Sequence, residues 1–261
     1  YGCFCTAAIA AEIGDTTVAA QMLEYASQWK NAFDKTGLLR DSTYYEGSKY
    51  NYSFRLLHDM ASRISLAGGD AAFVDLLDTF FGYAADSVPA PGVSPCRAEM
   101  AEGELLGRFE GFNNEPDMES PYAYIYAGRH DRACEVIRAG LTQCYGDSRG
   151  GLVGNDDSGG MSSWYVWSAL GLFPVAGQDV FLIGSPLFNR AEVQFGPDQA
   201  FAIETDGGGT ESPYIQSVLL DGKPFKSPYL CWRDLCSGGT LSVKMTSTPT
   251  VWTQERPPSV M

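Results

Sequence analysis

The stretch GNDDSGGMSSWYVWSALGLFPV, residues 154–175, holds a polar glycine-rich loop, an apolar run of helical length and a proline. Glycines at 154, 159 and 160 let the chain turn. Asp157 or Ser158 stands where an N-cap would accept the first free backbone N–H groups, and Pro174 cannot continue a helix. The pattern predicts a last helix over 160–173, ending at Pro174. It also marks a change of regime, because segments before it repeat with helical period and segments beyond about residue 178 repeat as strands.

Working upstream, the helical segments come in pairs. Residues 6–34 carry helical periodicity broken at Gly14-Asp15, with Asp15 or Thr16 capping the second helix. After a loop rich in Gly, Asp and Tyr (36–51), YSFRLLHDMASRISLAG and DAAFVDLLDTFFGYA form the next pair, with Gly68-Gly69 as stop and Asp70 as cap. Residues 85–116 read as loop, and SPYAYIYAG with HDRACEVIRAGLTQCY make a further pair. Helical hairpins of this kind can close into an α/α toroid whose loops meet on one face. The six or seven helices legible here are too few for a ring of six hairpins.

Downstream, DVFLIGSP, AEVQFG, AFAIETD, IQSVLLDGKPF and TLSVKM are short β-branched or alternating runs separated by turn residues. They predict antiparallel strands, with DGKP as a hairpin turn. The expected organisation is therefore a mainly α region, 1–177, built of helical hairpins, followed by an antiparallel β-rich module, 178–261.

Composition narrows the partners. Acidic residues outnumber basic ones 32 to 18 and no Lys/Arg run occurs, which disfavours nucleic acid and anionic membrane. No apolar stretch is long enough to span a membrane. Aromatics reach 13%, which suits sugar stacking and suits a large core equally. Seven cysteines without C-x-x-C spacing point to disulfide capacity and a secreted or extracytoplasmic protein, with one thiol left over. The chain starts inside an apolar, helix-forming run without an initiator Met or basic leader, so an N-terminus made by processing or truncation is expected.

Three polar clusters fall in interhelical loops: YYEGSKYNY (44–52), FEGFNNEPDMESPY (109–122) and GNDDSGGMSSWY (154–165). Each joins a carboxylate to Gly or Asn and to aromatics. Glu46, Glu115, Asp156 and Asp157 could thus share a pocket, separated carboxylates serving as acid and base while oxygen donors hold a hard cation. Innocent roles stand beside these: helix capping for Asp157, a turn for Glu115. With only His58 and His130 in the chain a multi-His zinc site is excluded, and neither a G-x-S-x-G nor a Walker pattern occurs. His58 is expected to pack or hydrogen-bond within its helix, and His130, beside Arg129 at a helix end, to face solvent.

The three clusters, in this order, resemble the catalytic half of the glycoside hydrolase family 92 α-mannosidases. GNDDSGGMSSWYVWSALGLFPV is the most specific segment, NNEPDMESPYAYIYAG and EGSKYNYSFRLLHDM resemble the family's other two loops, and IGSPLF matches the start of its β-rich tail. The resemblance implies a partial (α/α)6 barrel and a calcium-dependent, exo-acting enzyme that removes α-linked mannose from glycans with inversion. It implies Glu46 as general acid, Asp156 and Asp157 as the water-activating base and its partner, and Asn114 and Glu115 in the calcium loop. An N-terminal β-sandwich and the early barrel helices would come from a partner polypeptide of the same enzyme. Tyr50, Asn51, Tyr122 and Trp164 are candidates for sugar contact, although the rings suit core packing equally.

Departures from the family pattern bear on specificity. Ser48, Lys49, Tyr50 and Asn51 replace the residues that commonly follow Glu-Gly, and Met118 stands where a His is common. Lys49 in the cleft would favour an anionic leaving group, which keeps a mannose-1-phospho-6-mannose substrate open, whereas retention of Glu46 favours an ordinary glycosidic bond. A non-catalytic carbohydrate-binding or structural relative is the rival class, against which the joint presence of all five polar residues argues. Asn51-Tyr52-Ser53 is formally a glycosylation sequon in a catalytic loop.

Overall fold

The computed structural model describes residues 1–40, 49–55, 57–83, 112, 114–154, 156–209 and 211–260. Its first helices, α1 (Gly2–Glu12) and α2 (Thr16–Ser27), pack as a hairpin. The break falls at Gly14, and Asp15 caps α2 by accepting from the Val18 N–H at 3.0 Å, as the sequence predicts.

The next pair is shorter than its periodicity suggests. A four-residue helix α3 (Lys49–Tyr52) gives way to a turn, and α4 starts only at Met60 and ends at Leu66. The interruption has a visible cause. The buried Arg63 donates to the backbone carbonyls of Ser53 (3.0 Å) and Gly37 (2.6 Å), and the rings of Phe33, Phe54 and Phe73 surround its guanidinium. Anchoring the Ser53 and Gly37 backbones to one buried cation holds the segment ahead of α4 in a turn. Helix α5 (Asp70–Phe80) is capped by Gly69, at φ 104°, and not by Asp70. Asp70 lies one residue inside, where its charge still suits the helix N-terminus and forms a two-bond pair with Arg256, both at 2.7 Å.

Helices α6 (Ser120–Tyr126) and α7 (His130–Gln143) form the pair expected for this segment, and all seven residues of α6 are buried. Gly140 of α7 admits the Phe112 ring where a Cβ would collide with it. Helix α8 (Gly160–Leu170) ends four residues short of Pro174. Gly171 closes it in the left-handed conformation, φ 80°, under Pro186, and Leu172–Pro174 becomes strand β1.

Strands β1, β2 (Phe181–Ile183) and β7 (Tyr229–Leu230) form one antiparallel sheet. The second sheet contains β3 (Arg190–Gly196), β4 (Gln199–Asp206), β8 (Gly239–Thr246), β5 (Tyr214–Leu220) and β6 (Lys223–Phe225), in that spatial order. Antiparallel pairing dominates, with one exception: β4 and β8, far apart in sequence, run parallel. The DGKP turn is as expected, Asp221 and Gly222 both at positive φ (49° and 74°) between β5 and β6. A short helix, α9 (Trp232–Cys236), follows β7.

Two apolar cores result. One lies among the helices, around Phe54, Phe80, Tyr122 and Trp164. The other lies under the five-stranded sheet, around Phe201, Ile203, Val218 and Leu241, and takes in Cys134 of α7. Buried Arg138 of α7 fastens the two, donating to Ser185 Oγ (2.9 Å) and to the carbonyls of Pro186 (2.5 Å) and Gly209. The C-terminal segment then runs back over the helices, where the Val260 N–H donates to the His58 carbonyl and Ser259 Oγ accepts from the Ala61 N–H, both at 3.0 Å.

Both histidines are structural. His130, expected in solvent, is 2% exposed because the sheet module and the C-terminal segment cover that helix end. Its Nδ1 accepts from Trp252 Nε1 at 3.1 Å and its Nε2–H donates to the Ile183 carbonyl at 2.7 Å, a neutral tautomer, and burial pulls its pKa down to about 4. His58 is buried against the rings of Tyr1 and Phe4. Cys3, Cys5, Cys134, Cys231 and Cys236 carry free thiols, so the disulfide capacity read from composition is not used among them. No helix among the described residues is long and apolar enough to cross a membrane.

Candidate functional site

The middle loop organises the site. Asn114 Oδ1 accepts from the N–H of Glu115 at 3.0 Å, starting a 3-10 turn, Glu115–Asp117, with Pro116 near its head. A residue with φ fixed near the helical value suits that position. The turn aims Glu115 outward and buries Asp117.

Each neighbouring loop is tied to this turn. Asn51 Nδ2, on α3 just after the first loop, donates to Asp117 Oδ1 at 2.9 Å in a fully buried bond. On the other side Trp164 Nε1 donates to the Met118 carbonyl at 2.9 Å. The Glu115 side chain also lies against Gly160, the first residue of α8, within ordinary van der Waals reach of where a Cβ would stand. The three clusters, which the sequence spreads over more than a hundred residues from 44 to 165, are thus drawn together by two hydrogen bonds and one close approach. Glu46 lies outside the described residues, as does Asn155.

The adjacent aspartates are not equivalent. Asp156 adopts the left-handed conformation, φ 51°, and folds back over the start of α8. It accepts from the Ser162 N–H at 2.7 Å and from Ser162 Oγ at 3.0 Å. The capping role that the sequence offers to Asp157 or Ser158 therefore falls to Asp156. Asp157 is exposed, and its carboxylate makes no hydrogen bond among the described residues.

The proposed sugar platforms divide similarly. Tyr122 has no exposed surface, stacks on Phe173 at 4.2 Å and shares a 2.8 Å hydrogen bond with Ser168 Oγ. Trp164 is 1% exposed, between Phe112 at 4.3 Å and Tyr145 at 5.9 Å. Neither ring has a face open to a sugar, and both are core residues that support the loops. Asn51 is buried in the interloop bond, while Tyr50 is half-buried with its ring parallel to Phe80 at 6.4 Å.

A cation here would meet oxygen donors. Asn114, Glu115, Asp156 and Asp157 offer only oxygen ligands on this face, and the buried histidines are occupied or walled off elsewhere. Among the described residues no three His, Cys, Asp or Glu side chains converge on one metal-sized point, so such an ion would need amide, carbonyl or water oxygens as well. That donor chemistry fits a hard cation such as calcium, which commonly takes mixed oxygen ligands.

One group near this site had no signal in the sequence. Glu119, at the head of α6, reads in DMESPY as an ordinary turn residue, yet burial pushes its carboxyl up to about 7 against the opposing pull of Arg55. Only the packing of α6 exposes this.

The structure joins a helical region whose interhelical loops form an oxygen-rich polar rim to a module of two β-sheets, and comparison gives the family. The family model for the glycosyl hydrolase family 92 catalytic domain matches residues 1–247, and the chain belongs to that family. It is 28% identical over 211 residues, 80% of its length, to an uncharacterized secreted glycosidase of Arthroderma benhamiae. Among solved structures, a family 92 α-mannosidase of Bacteroides thetaiotaomicron bound to mannoimidazole superposes with a TM-score of 0.82 at 23% identity, over 97% of this chain. A family 92 inverting mannosidase of B. thetaiotaomicron VPI-5482 gives 0.81 at 25% identity, over 96% of the chain. The chain spans 24% of the length of the curated relative and 36% and 37% of those two solved chains.

Proposed function

We propose that this chain forms part of the catalytic region of a calcium-dependent, exo-acting α-mannosidase that hydrolyses glycans with inversion. The observation that carries the proposal is the joining of the three loops through Asn51–Asp117 and Trp164–Met118, with the Glu115 side chain against Gly160, the residue that follows the Asp156–Gly159 turn. The names of the solved mannosidases support the substrate class.

In the proposed mechanism Glu46 protonates the leaving oxygen, and the water that attacks the anomeric carbon gives its proton to the aspartate pair. The structural inequality of the pair favours Asp157 as base, because its carboxylate is not engaged, while Asp156 holds the loop in shape. Asn114 and Glu115 would hold calcium, whose charge would orient sugar hydroxyls and keep the neighbouring carboxylates ionised. A β-sandwich and the early barrel helices, supplied by the remainder of the same enzyme, would complete an (α/α)6 ring. Exposed Ile9, Leu23 and Tyr25 on α1 and α2, exposed Ile13 just past the end of α1, and the short share of each relative that the chain spans, support this. A secreted or extracytoplasmic location accords with the description of the Arthroderma relative.

The test is hydrolysis of α-mannosides by the complete enzyme, with and without chelator, followed by NMR of the newly released anomer. Release of β-mannose that stops on chelation is expected. Sugar binding without any release would establish a binding protein instead.

A further inference from the structure

The segment between α7 and the GNDD loop closes on itself. The Gly146 N–H donates to the Gly151 carbonyl and the Gly151 N–H to the Ser148 carbonyl, both at 3.0 Å. A Cβ at Gly151 would run into the Gly146 carbonyl, so glycine is what lets this small loop close. Between the loop and α8 lies a cavity of about 290 Å³, lined by Tyr145, Gly146, Asp147, Gly151, Leu152 and Tyr165. The rings of Tyr145 and Tyr165, with centroids 5.0 Å apart and planes inclined at 45°, give it an aromatic wall.

One peptide unit joins this cavity to the aspartate pair. The Tyr145 hydroxyl donates to the Met161 carbonyl at 3.1 Å, and the N–H of the same peptide, on Ser162, donates to Asp156 at 2.7 Å. Tyr145 and Asp156 therefore hold the two ends of a single amide in the first turn of α8.

The lining has unspent hydrogen-bonding capacity of both kinds. The Asp147 carboxylate and the Tyr165 hydroxyl make no hydrogen bond or ion pair among the described residues, and the Tyr145 oxygen, having given its proton to Met161, can still accept. Asp147 is the one carboxylate among the six residues, and no cation stands with it there, so an anion is repelled. An ammonium group would satisfy Asp147 and the rings but could accept nothing from the Tyr165 hydroxyl. A sugar ring meets every group: its hydroxyls donate to Asp147 and Tyr145 and accept from Tyr165, while its C–H face lies on the aromatic wall. The volume falls at the lower end of small-molecule sites, ~300–1,000 Å³, which suits a single ring.

We infer that Tyr145, Asp147 and Tyr165 form a subsite for one neutral sugar residue of the glycan, away from the bond that is cleaved. The inference rests on the α-mannosidase proposal and extends it, since a long glycan would gain contacts here that a disaccharide lacks. All three are binding residues, so their loss should act on affinity in a way that depends on chain length.

The experiment is calorimetric titration of S-linked α-mannobiose and α-mannotetraose, whose sulfur bridges resist hydrolysis, into the complete calcium-loaded enzyme. Wild type is compared with Asp147→Ala and Tyr165→Ala, and wild-type hydrolysis of the O-linked tetraose is followed alongside. Each variant should weaken tetraose binding about ten-fold, the scale of a hydrogen bond to a charged group, and weaken the biose far less. Asp147 is exposed, so its variant keeps the test open if Tyr165→Ala, which also loses the Tyr145 ring contact, fails to fold. Wild-type hydrolysis with tetraose affinity unchanged in Asp147→Ala, or with both lengths weakened alike, would overturn the subsite and leave the mannosidase proposal standing. Tetraose binding that both variants weaken, in a wild type that hydrolyses no O-linked mannoside, would keep the subsite and overturn the mannosidase proposal. Tetramethylammonium bound more tightly than either sugar, and lost in Asp147→Ala, would overturn the subsite in favour of a cation site. Neither sugar bound at all would overturn both proposals.

Discussion

Helices α6 and α7 and the hairpin α1–α2 are used in opposite ways: the pair richer in apolar residues is the one left exposed. Every residue of α6 and ten of the fourteen in α7 are buried, shared between the helical core and the core beneath the sheet. In α1 and α2 only Phe4, Ala7, Ala10, Ala19 and Ala26 are buried, while Ile9 and Ile13 are 65% and 77% exposed. The first pair is a scaffold complete within this chain. The second presents apolar surface outward. The site hangs on the complete pair: the middle loop leads directly into α6, and both neighbouring loops are tied to it.

If the scaffold is as closed as that contrast implies, its core should tolerate little. Trp164→Ala removes a ring packed against Phe112 and Tyr145 together with the donor to the Met118 carbonyl. A loss of about 4 kcal/mol is expected for truncating a buried aromatic. Urea unfolding of the complete enzyme measures it, and a loss near 1 kcal/mol would show that the interior is looser than the packing implies.

The same closed region predicts a pH dependence. His130 is neutral in the folded state with its pKa pulled down to about 4 by burial, against an ordinary value of 6.5. The unfolded chain therefore binds the extra proton first, so stability is complete above about pH 6.5 and falls as pH drops toward 4. The limit is about 3 kcal/mol from this group alone. Glu119 acts oppositely, because its raised pKa lets the folded state hold a proton longer, so its contribution declines as pH rises from about 4.5 to 7. The two shifts are equal in size and opposite in sense, so these groups offset one another in wild type. Relative to wild type, urea midpoints from pH 4 to 7 should climb with pH in Glu119→Gln and decline with pH in His130→Gln.

These effects show what the sequence made legible. Periodicity placed the helix pairs and strands because those patterns are local, and Asp15 and the Asp221-Gly222 turn were readable from residue chemistry. The break between α3 and α4 was not, because it depends on Arg63 reaching carbonyls ten and twenty-six residues away. The parallel β4–β8 pair and the burial of His130 likewise depend on segments distant in sequence. For the site, motif spacing singled out Asn114, Glu115, Asp156 and Asp157. It could not tell a sugar platform from a core ring, since Tyr122 and Trp164 differ from an exposed aromatic only in their neighbours. Glu119 escaped for the same reason.

The open side of the comparison can be probed through Ile9 and Ile13. A joint Ile9→Ser, Ile13→Ser change on a solvated face should alter stability by no more than about 0.5 kcal/mol. Under a covering helix of the same enzyme the loss should be about 2 kcal/mol or more, in line with burial of two aliphatic side chains. Denaturation of the complete enzyme distinguishes the two, and the smaller figure would remove the support that this face gives to a completed ring.

The smallest expected effect separates the neighbours Asp156 and Asp157. Asp156 holds the Ser162 N–H and hydroxyl and occupies a left-handed backbone conformation that Asp and Asn tolerate better than Ala. Asp156→Ala should therefore cost about 1–2 kcal/mol of stability, and Asp156→Asn, which keeps an acceptor and the backbone preference, distinctly less. Asp157 is exposed with its carboxylate unengaged, so Asp157→Asn should leave stability within about 0.5 kcal/mol. In activity the order reverses: Asp157→Asn should lower kcat by about a thousand-fold if it takes the proton of the attacking water. An enzyme in which Asp156→Asn is the more damaging to kcat, with its fold intact, would move the base one residue upstream and make the contact with Ser162 a device for orienting that base.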